Sequence, residues 1–324
     1  MVVRRLVRGQ TGPSGGPAMT DLLGVMESWA DGVTTVRGES GAVTSIDIAD
    51  IVTGKPVPPR PSVRHRISAE DAERRANAAW PALVTEPLGD WLLRASGGYS
   101  SRANSVMAVG DPGVAFSEAE QAVLAFYERH RLPAWAQVVV GSEAHHAFDS
   151  AGWLPARPDE ADSLFQIASV SMASRAVRRS LPAVVPAVSL STTADSAWLA
   201  DDSRARAQLP TAIGVLEGPD EVAFASVRAS IGAAQLNAPV NPPVIAKGRA
   251  AYSDDWVGIT DIEVARSHRR QGLAVAVMGA LLGWGAERGA TTAYLQTRGD
   301  NGAALALYER LDFRTHHTYR YLRR

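Results

Sequence analysis

Residues 257–284 read VGITDIEVARSHRRQGLAVAVMGALLGW, and the change of period within this stretch decides the fold. Up to Val264 the apolar and polar residues alternate as in a strand, and from Leu273 a run of small and apolar residues reads as a helix. Between them RSHRRQGLA (266–274) gathers three arginines, a glutamine and a glycine at the joint, in a chain whose net charge is −1 at pH 7. Such a joint directs unpaired backbone N–H groups and the positive end of a helix toward one point, which suits a pyrophosphate. Gly272 lets the backbone approach the oxygens without a Cβ in the way, Ala274 does nearly the same, and Arg269 and Arg270 add charge. Over the six residues Arg269-Arg270-Gln271-Gly272-Leu273-Ala274 alone, an ordinary turn with solvated arginines reads equally well.

The rest of the chain bounds the answer. Its 324 residues suffice for about two domains, or three if one is small. With 33 basic and 34 acidic residues, no overall field draws it to nucleic acid or an anionic membrane, so a basic site must be local. The absence of cysteine excludes disulfides, thiolate zinc sites and a cysteine nucleophile. No stretch has the length of a signal peptide's apolar core or a membrane span, so a cytoplasmic protein is expected.

Three short strand-like runs, 22–29, 33–37 and 43–48, are punctuated by Gly24, Gly32, Gly38 and Gly41, which suits a small SH3-like β barrel within residues 1–61. KPVPPRP (55–61) then reads as a stiff linker. From Ser68 a helix, a hairpin around Gly97-Gly98, a helix, a strand, a short helix and a strand follow, and the order largely recurs after Pro186, with SAWLADDSRARA as a helix. The fold expected is therefore α+β, with a duplication dividing the chain at 62–180 and 181–324. Trp80, Trp91, Trp135 and Trp153 read as core. His145-His146 and His316-His317 are adjacent pairs whose side chains diverge on a strand, with no third ligand at a metal-binding spacing.

On VGITDIEVARSHRRQGLAVAVMGALLGW and TTAYLQTRGDNGAALALYERLDF (291–313) the chain resembles the GCN5-related N-acetyltransferases (GNAT superfamily). The likeness is close over the last 75 residues or so, and follows element order from about 186 onward. The whole chain is similar to tandem members such as mycothiol synthase, in which one copy has lost the loop, and to relatives with an extra N-terminal β module. Two positions depart from the pattern: Arg266 stands where proline is usual, and Asp312 replaces a glycine, a mild change because Asp tolerates left-handed backbone.

The resemblance implies a GNAT fold: a mixed central sheet flanked by helices in two units, the first degenerate. It implies acetyl-CoA as co-substrate with no metal, its pantetheine arm along Thr260–Val264 where the strand splays at a bulge, and amides near Ile262 and Val264 stabilising the thioester oxygen. It places the cofactor on Ile262, Val264, Arg269, Arg270, Gln271, Gly272, Leu273, Ala274, Asn301 and Ala304. Tyr308 becomes the proton donor to the departing thiolate, although helical spacing alone makes it a core residue beside Ala304, Leu307 and Leu311. Asn301 also suits an N-cap. For the base, alternation sets Asp261 and Glu263 on one side of the strand; Glu263 ranks first, and an ion pair is the plain alternative. The function implied is transfer of acetyl to a primary amine, on a small molecule or a protein, with no membrane or nucleic-acid partner expected and a homodimer left open. The rivals are a non-catalytic acyl-CoA sensor or partner-binding regulator, and a nucleic-acid module on the barrel.

Overall fold

The computed structural model describes residues 1–12, 15–38, 41–55, 66–229 and 242–324, so the expected linker lies, after Lys55, outside the described residues. The chain divides into two compact units, Met1–Ser62 and Val63–Arg324.

The first unit contains strands β1 (Val2–Thr11), β2 (Pro17–Ala30), β3 (Val33–Gly38), β4 (Val43–Asp47) and β5 (Ile51–Lys55). They form an antiparallel sheet of order β4-β3-β2-β1-β5 around buried Val3, Val36 and Ile46. β4 and β5 stand at opposite ends of this order, so the sheet is open and the closed barrel expected from the glycine spacing is not formed. β1 escapes the sequence reading because Arg4, Arg5 and Arg8 break its alternation. Two of them have acidic partners: Arg4 lies opposite Asp21 in register and bonds it at 2.8 Å, and Arg8 reaches Asp50, in the turn before β5, at 2.9 Å.

The second unit opens with α1 (Ala69–Ala79), started by the Ser68 hydroxyl accepting from the Asp71 N–H at 3.0 Å. β6 (Val84–Leu88), β7 (Trp91–Ala95), β8 (Val106–Met107), α2 (Phe116–Arg129), β9 (Trp135–Val139) and α3 (Glu143–Ser150) follow. Next come β10 (Leu154–Pro155), β11 (Ser163–Ser169), α4 (Val170–Ser180) and β12 (Ser189–Ser191). Where one helix was expected over 196–207 there are two, α5 (Ser196–Leu199) and α6 (Ser203–Ala207), because the Asp202 carboxylate caps a new start. α7 (Leu209–Leu216), β13 (Glu221–Arg228), β14 (Val244–Ser253), β15 (Trp256–Val264), α8 (Leu273–Glu287), β16 (Thr292–Arg298), α9 (Gly302–Arg310) and β17 (Arg314–Arg323) complete it.

These strands make one sheet, β12-β13-β14-β15-β16-β11-β17-β9-β8-β7-β6, with β10 on β17. Two neighbouring pairs are parallel, β15/β16 and β8/β9, and each is joined through a helix, α8 and α2 respectively. β11 lies between β16 and β17, whereas the second half of β17 pairs with β9 and β10. Each half of the sequence thus lends a strand to the other.

Helix α8 is apolar nearly all round because it is covered on two sides, by β13–β15 and by α4. Its approach to the sheet depends on Gly248: a Cβ there would stand 2.5 Å from the Ile262 Cδ1 and 2.7 Å from the Val277 Cγ1. At the seam, α1 brings down the buried carboxylate of Glu73, which accepts from Gln137 Nε2 at 2.8 Å and meets His317 Nε2 at 3.0 Å. Gln137 in turn accepts from Arg94 Nη2 at 2.7 Å, so two buried charges are linked through an amide instead of lying isolated.

Three sequence expectations change here. His145 and His146 lie on α3, the short helix expected at this point of the chain, so the strand geometry given for the pair does not apply. His316 and His317 do not diverge: the pairing of β11 with β17 shifts register at this point, and their Nδ1 atoms come within 2.8 Å. Trp135 is half-buried beneath the Arg157 guanidinium, whereas Trp80, Trp91 and Trp153 are core. No helix among the described residues is long and apolar enough to cross a membrane.

Phe165 of β11 is fully buried, stacked between Tyr294 at 5.1 Å and His317 at 4.7 Å. Phe165→Ala is expected to lower unfolding stability by about 3–5 kcal/mol in urea denaturation. Leu154→Ala, at a position 63% exposed, should stay within about 0.5 kcal/mol of the parent.

Candidate active site

The parallel pairing of β15 with β16 covers Trp256–Ile259 against Thr292–Leu295 and goes no further. It stops where β15 takes in an extra residue. Lys247 faces Glu263 and Arg249 faces Thr260, so two steps along β14 correspond to three along β15. The added turn of backbone is taken by Asp261, at φ +56°. Beyond the bulge β15 stays on β14, and the Ala265 N–H donates to the Ile245 carbonyl at 2.9 Å. Strand alternation then turns the N–H groups of Ile262 and Val264 the other way, toward the gap left by β16.

That gap opens into a cavity of about 1130 Å³. At one end lies the joint picked out in the sequence. Gly272 is the N-cap residue of α8 at φ +78°, and a Cβ on it would press on Pro182 at 2.9 Å. No side chain caps this helix, and its first internal bond runs from the Ala276 N–H to the Gly272 carbonyl at 3.0 Å. The N–H groups of Leu273, Ala274 and Val275 are therefore left for a ligand or solvent. Arg270 takes φ +65°, and Arg269 turns its Nε to the Val264 carbonyl at 3.3 Å, which ties the loop back to the strand end.

Along the cavity α9 presents Asn301, Ala304 and Tyr308. Asn301 caps its helix through the Ala304 N–H at 3.3 Å. Asp312, just past α9, sits at φ +70°, the left-handed conformation for which glycine is usual. Tyr308 is 8% exposed and its hydroxyl has no hydrogen-bond partner among the described residues. Burial, helped by the Asp261 carboxylate, pushes its pKa up to about 12, so it stays protonated at neutral pH.

All twelve residues singled out as cofactor-binding or catalytic line this one cavity, Leu273 with its side chain in the adjoining core. Asp261 does not line it. The bulge breaks the alternation that would have set it beside Glu263, and its carboxylate instead accepts from the Thr260 hydroxyl at 2.9 Å. It lies near Arg249, a fully buried guanidinium that donates to the carbonyls of Leu216 and Ala79 and whose pKa burial lowers to about 10. Glu263 is exposed into the cavity and pairs with Lys247 Nζ at 3.3 Å. Lys247, Trp198, Pro182 and Arg310 also line the cavity and escaped the sequence reading. They come from β14, α5, the segment after α4 and the end of α9, and no local motif joins them. No cluster of three or more side chains suited to a metal ion occurs among the described residues.

Comparison with known proteins adds four findings. The family described as "Probable histone acetyltransferase Rv0428c C-terminal" matches residues 69–322. The probable histone acetyltransferase Rv0428c of Mycobacterium tuberculosis (strain ATCC 25618 / H37Rv) is 28% identical over 309 residues, 94% of this chain and 89% of that one. The uncharacterized N-acetyltransferase YobR of Bacillus subtilis (strain 168) is 27% identical over 261 residues, 76% and 96% of the two chains. Among solved structures, a functionally unknown conserved protein from Staphylococcus epidermidis ATCC 12228 shares the fold, with a TM-score of 0.51 at 8% identity over 80% of this chain and 98% of that chain.

Replacing Gly272 tests the joint as structure. Gly272→Ala must adopt a left-handed backbone and displace Pro182, and is expected to cost about 1–2 kcal/mol in thermal or urea unfolding. Gly283→Ala, at an open position of α8, should be neutral or slightly stabilising in the same measurement.

Proposed function

This chain belongs to the family of the probable histone acetyltransferase Rv0428c C-terminal region and is an acetyltransferase of the GNAT type; from that premise we propose that it moves acetyl from acetyl-CoA to a primary amine, by direct attack of the amine on the thioester. One observation carries the reading: a single cavity connects the uncapped start of α8 to the unpaired edge of β15 and the lone hydroxyl of Tyr308. The anion-binding end and the reacting end of an elongated ligand would each meet the groups they need.

In this reading the amides of Gly272, Leu273 and Ala274, with Arg269, Arg270 and Gln271, hold the pyrophosphate, where no side chain competes for them. Asn301 and Ala304 border the pantetheine arm. The Ile262 and Val264 amides face the thioester carbonyl and stabilise the charge its oxygen gains as the amine attacks. Tyr308, held protonated by burial, donates to the sulfur as the carbon–sulfur bond breaks. Glu263 takes the proton from the attacking amine, directly or through water; its contact with Lys247 Nζ at 3.3 Å holds it in the cavity. A histone-like, lysine-bearing acceptor is what the mycobacterial relative's name suggests, and a small amine fits the same chemistry.

Two further readings concern the scaffold. The parallel β8/β9 and β15/β16 pairs, each joined through a helix, support two GNAT-like units at 62–180 and 181–324, the first without the anion-binding loop, as in the mycothiol synthase-like arrangement. The order β4-β3-β2-β1-β5 supports an SH3-like origin for the N-terminal sheet. A cytoplasmic location fits the co-substrate.

Calorimetry with acetyl-CoA and thiol release across an amine panel test the reading together. Saturable binding with turnover is expected for at least one primary amine; binding without turnover on any amine would make the protein a sensor. Tyr308→Phe should leave binding intact and lower kcat by about 100-fold or more. The double substitution Arg269→Ala/Arg270→Ala should weaken acetyl-CoA binding by about tenfold or more, corresponding to lost charge-assisted hydrogen bonds.

A further inference from the structure

Lysine occurs twice in this chain, at Lys55 and Lys247, against 31 arginines. Lys55 is exposed in the N-terminal unit, and Lys247 lines the cavity. The side chain of Lys247 is 7% exposed, its Nζ donates to the Trp198 carbonyl at 3.1 Å, lies over the Trp198 ring at 4.5 Å and approaches Glu263 Oε2 at 3.3 Å. It stands opposite Glu263 in the β14–β15 register, between the two positions whose amides face the gap. The one buried primary amine of the described residues therefore lies beside a carboxylate in the cavity where the proposed reaction takes place. Burying an ammonium is costly, and the usual remedy is an arginine, which this chain uses at the neighbouring buried position Arg249. At residue 247 the sequence carries instead a side chain that can become a neutral nucleophile.

We propose that Lys247 is a self-acetylation site, modified from acetyl-CoA bound in the same cavity when no acceptor amine is present. The inference rests on the reading of the cavity as an acetyl-CoA site. Glu263 accepts a proton from the Lys247 ammonium, and the neutral Nζ attacks the thioester carbonyl. A nitrogen–carbon bond forms, the carbon–sulfur bond breaks, and CoA departs as a thiolate that takes a proton from Tyr308; the phenolate so formed recovers a proton as the attacking nitrogen sheds its second one to become the amide, and Glu263 passes its proton to solvent. The products are Nζ-acetyl-lysine and free CoA thiol, with one proton released overall. The amide retains one N–H for the Trp198 carbonyl, but the positive charge is gone. Glu263 then loses its ion-pair partner and stands free in the cavity, so the modified chain presents a different charge to an incoming amine.

The full-length protein is incubated with acetyl-CoA and no acceptor, and followed by intact mass and peptide mapping, with acetyl-CoA binding measured by calorimetry on the same preparation. The expected result is one acetyl group per chain, located on Lys247, with Lys55 and the N-terminal amine lagging far behind. The gain at residue 247 is abolished in Lys247→Arg, and slowed at least tenfold in Glu263→Gln, which keeps the lysine. Both variants are checked for native circular dichroism, and Glu263→Gln carries the test if Lys247→Arg misfolds. Binding of acetyl-CoA with no acetyl group at Lys247, or with Lys55 modified as fast as Lys247, overturns the self-acetylation and leaves the proposed activity standing. No binding at all overturns both.

Discussion

One additional residue in β15 governs the site. Because Asp261 is accommodated as a bulge at positive φ, the strand keeps its antiparallel partner β14 while parting from β16 after Ile259. A regular strand would remain paired on both edges, and its amides would be spent on the sheet. The bulge leaves two of them free, directs Glu263 to the cavity, and turns Asp261 away from it. Gly248 opposite is the complementary concession: only a residue without a Cβ lets Ile262 fold in against Val277 and Leu281 at that point. The cavity is thus a defect in hydrogen bonding that both strands are built to tolerate.

What could be read from the sequence was what is local. The joint at 266–274 is nine consecutive residues with a change of period on either side, and α9 follows within one strand, so Asn301 and Tyr308 could be grouped with it, and both line one cavity with it. The asymmetry between Glu263 and Asp261 was not legible, because an Asp at a bulge looks like any polar residue on an alternating strand. Lys247 was invisible for another reason: its meaning comes from the cross-strand partner Glu263 and from Trp198 on α5, 49 residues earlier. In the N-terminal unit, β1 hid behind arginines such as Arg4, whose partner Asp21 sits on the neighbouring strand β2. The closed barrel failed as an expectation because glycine spacing specifies turns but not whether the end strands meet.

Buried charge in the larger unit is handled by chains of contacts. Glu73 does not simply face a cation; it reaches Arg94 through Gln137 and touches His317 on its other oxygen. Arg249 has backbone carbonyls and the Trp80 ring around it, and Lys247 a carbonyl, a ring and one carboxylate. Several partners together spare each buried group the cost of isolation in a low-dielectric interior. Lys247 differs in that its carboxylate partner lies open to the cavity, so a cavity occupant can alter its surroundings without disturbing the core.

The placing of β11 and β17 bears on how the protein is made. β11 is synthesised well before the strands that flank it, β16 and β17, and β9 and β10 wait for the far half of β17. A nascent chain of which only the first half has left the ribosome therefore holds a sheet with bare edges at β9 and β11 that nothing nearby in sequence can cover. Ribosome pausing, chaperone capture and premature release would all act on that interval, and a polypeptide cut short before β17 would be left with the edges that recruit other chains into aggregates.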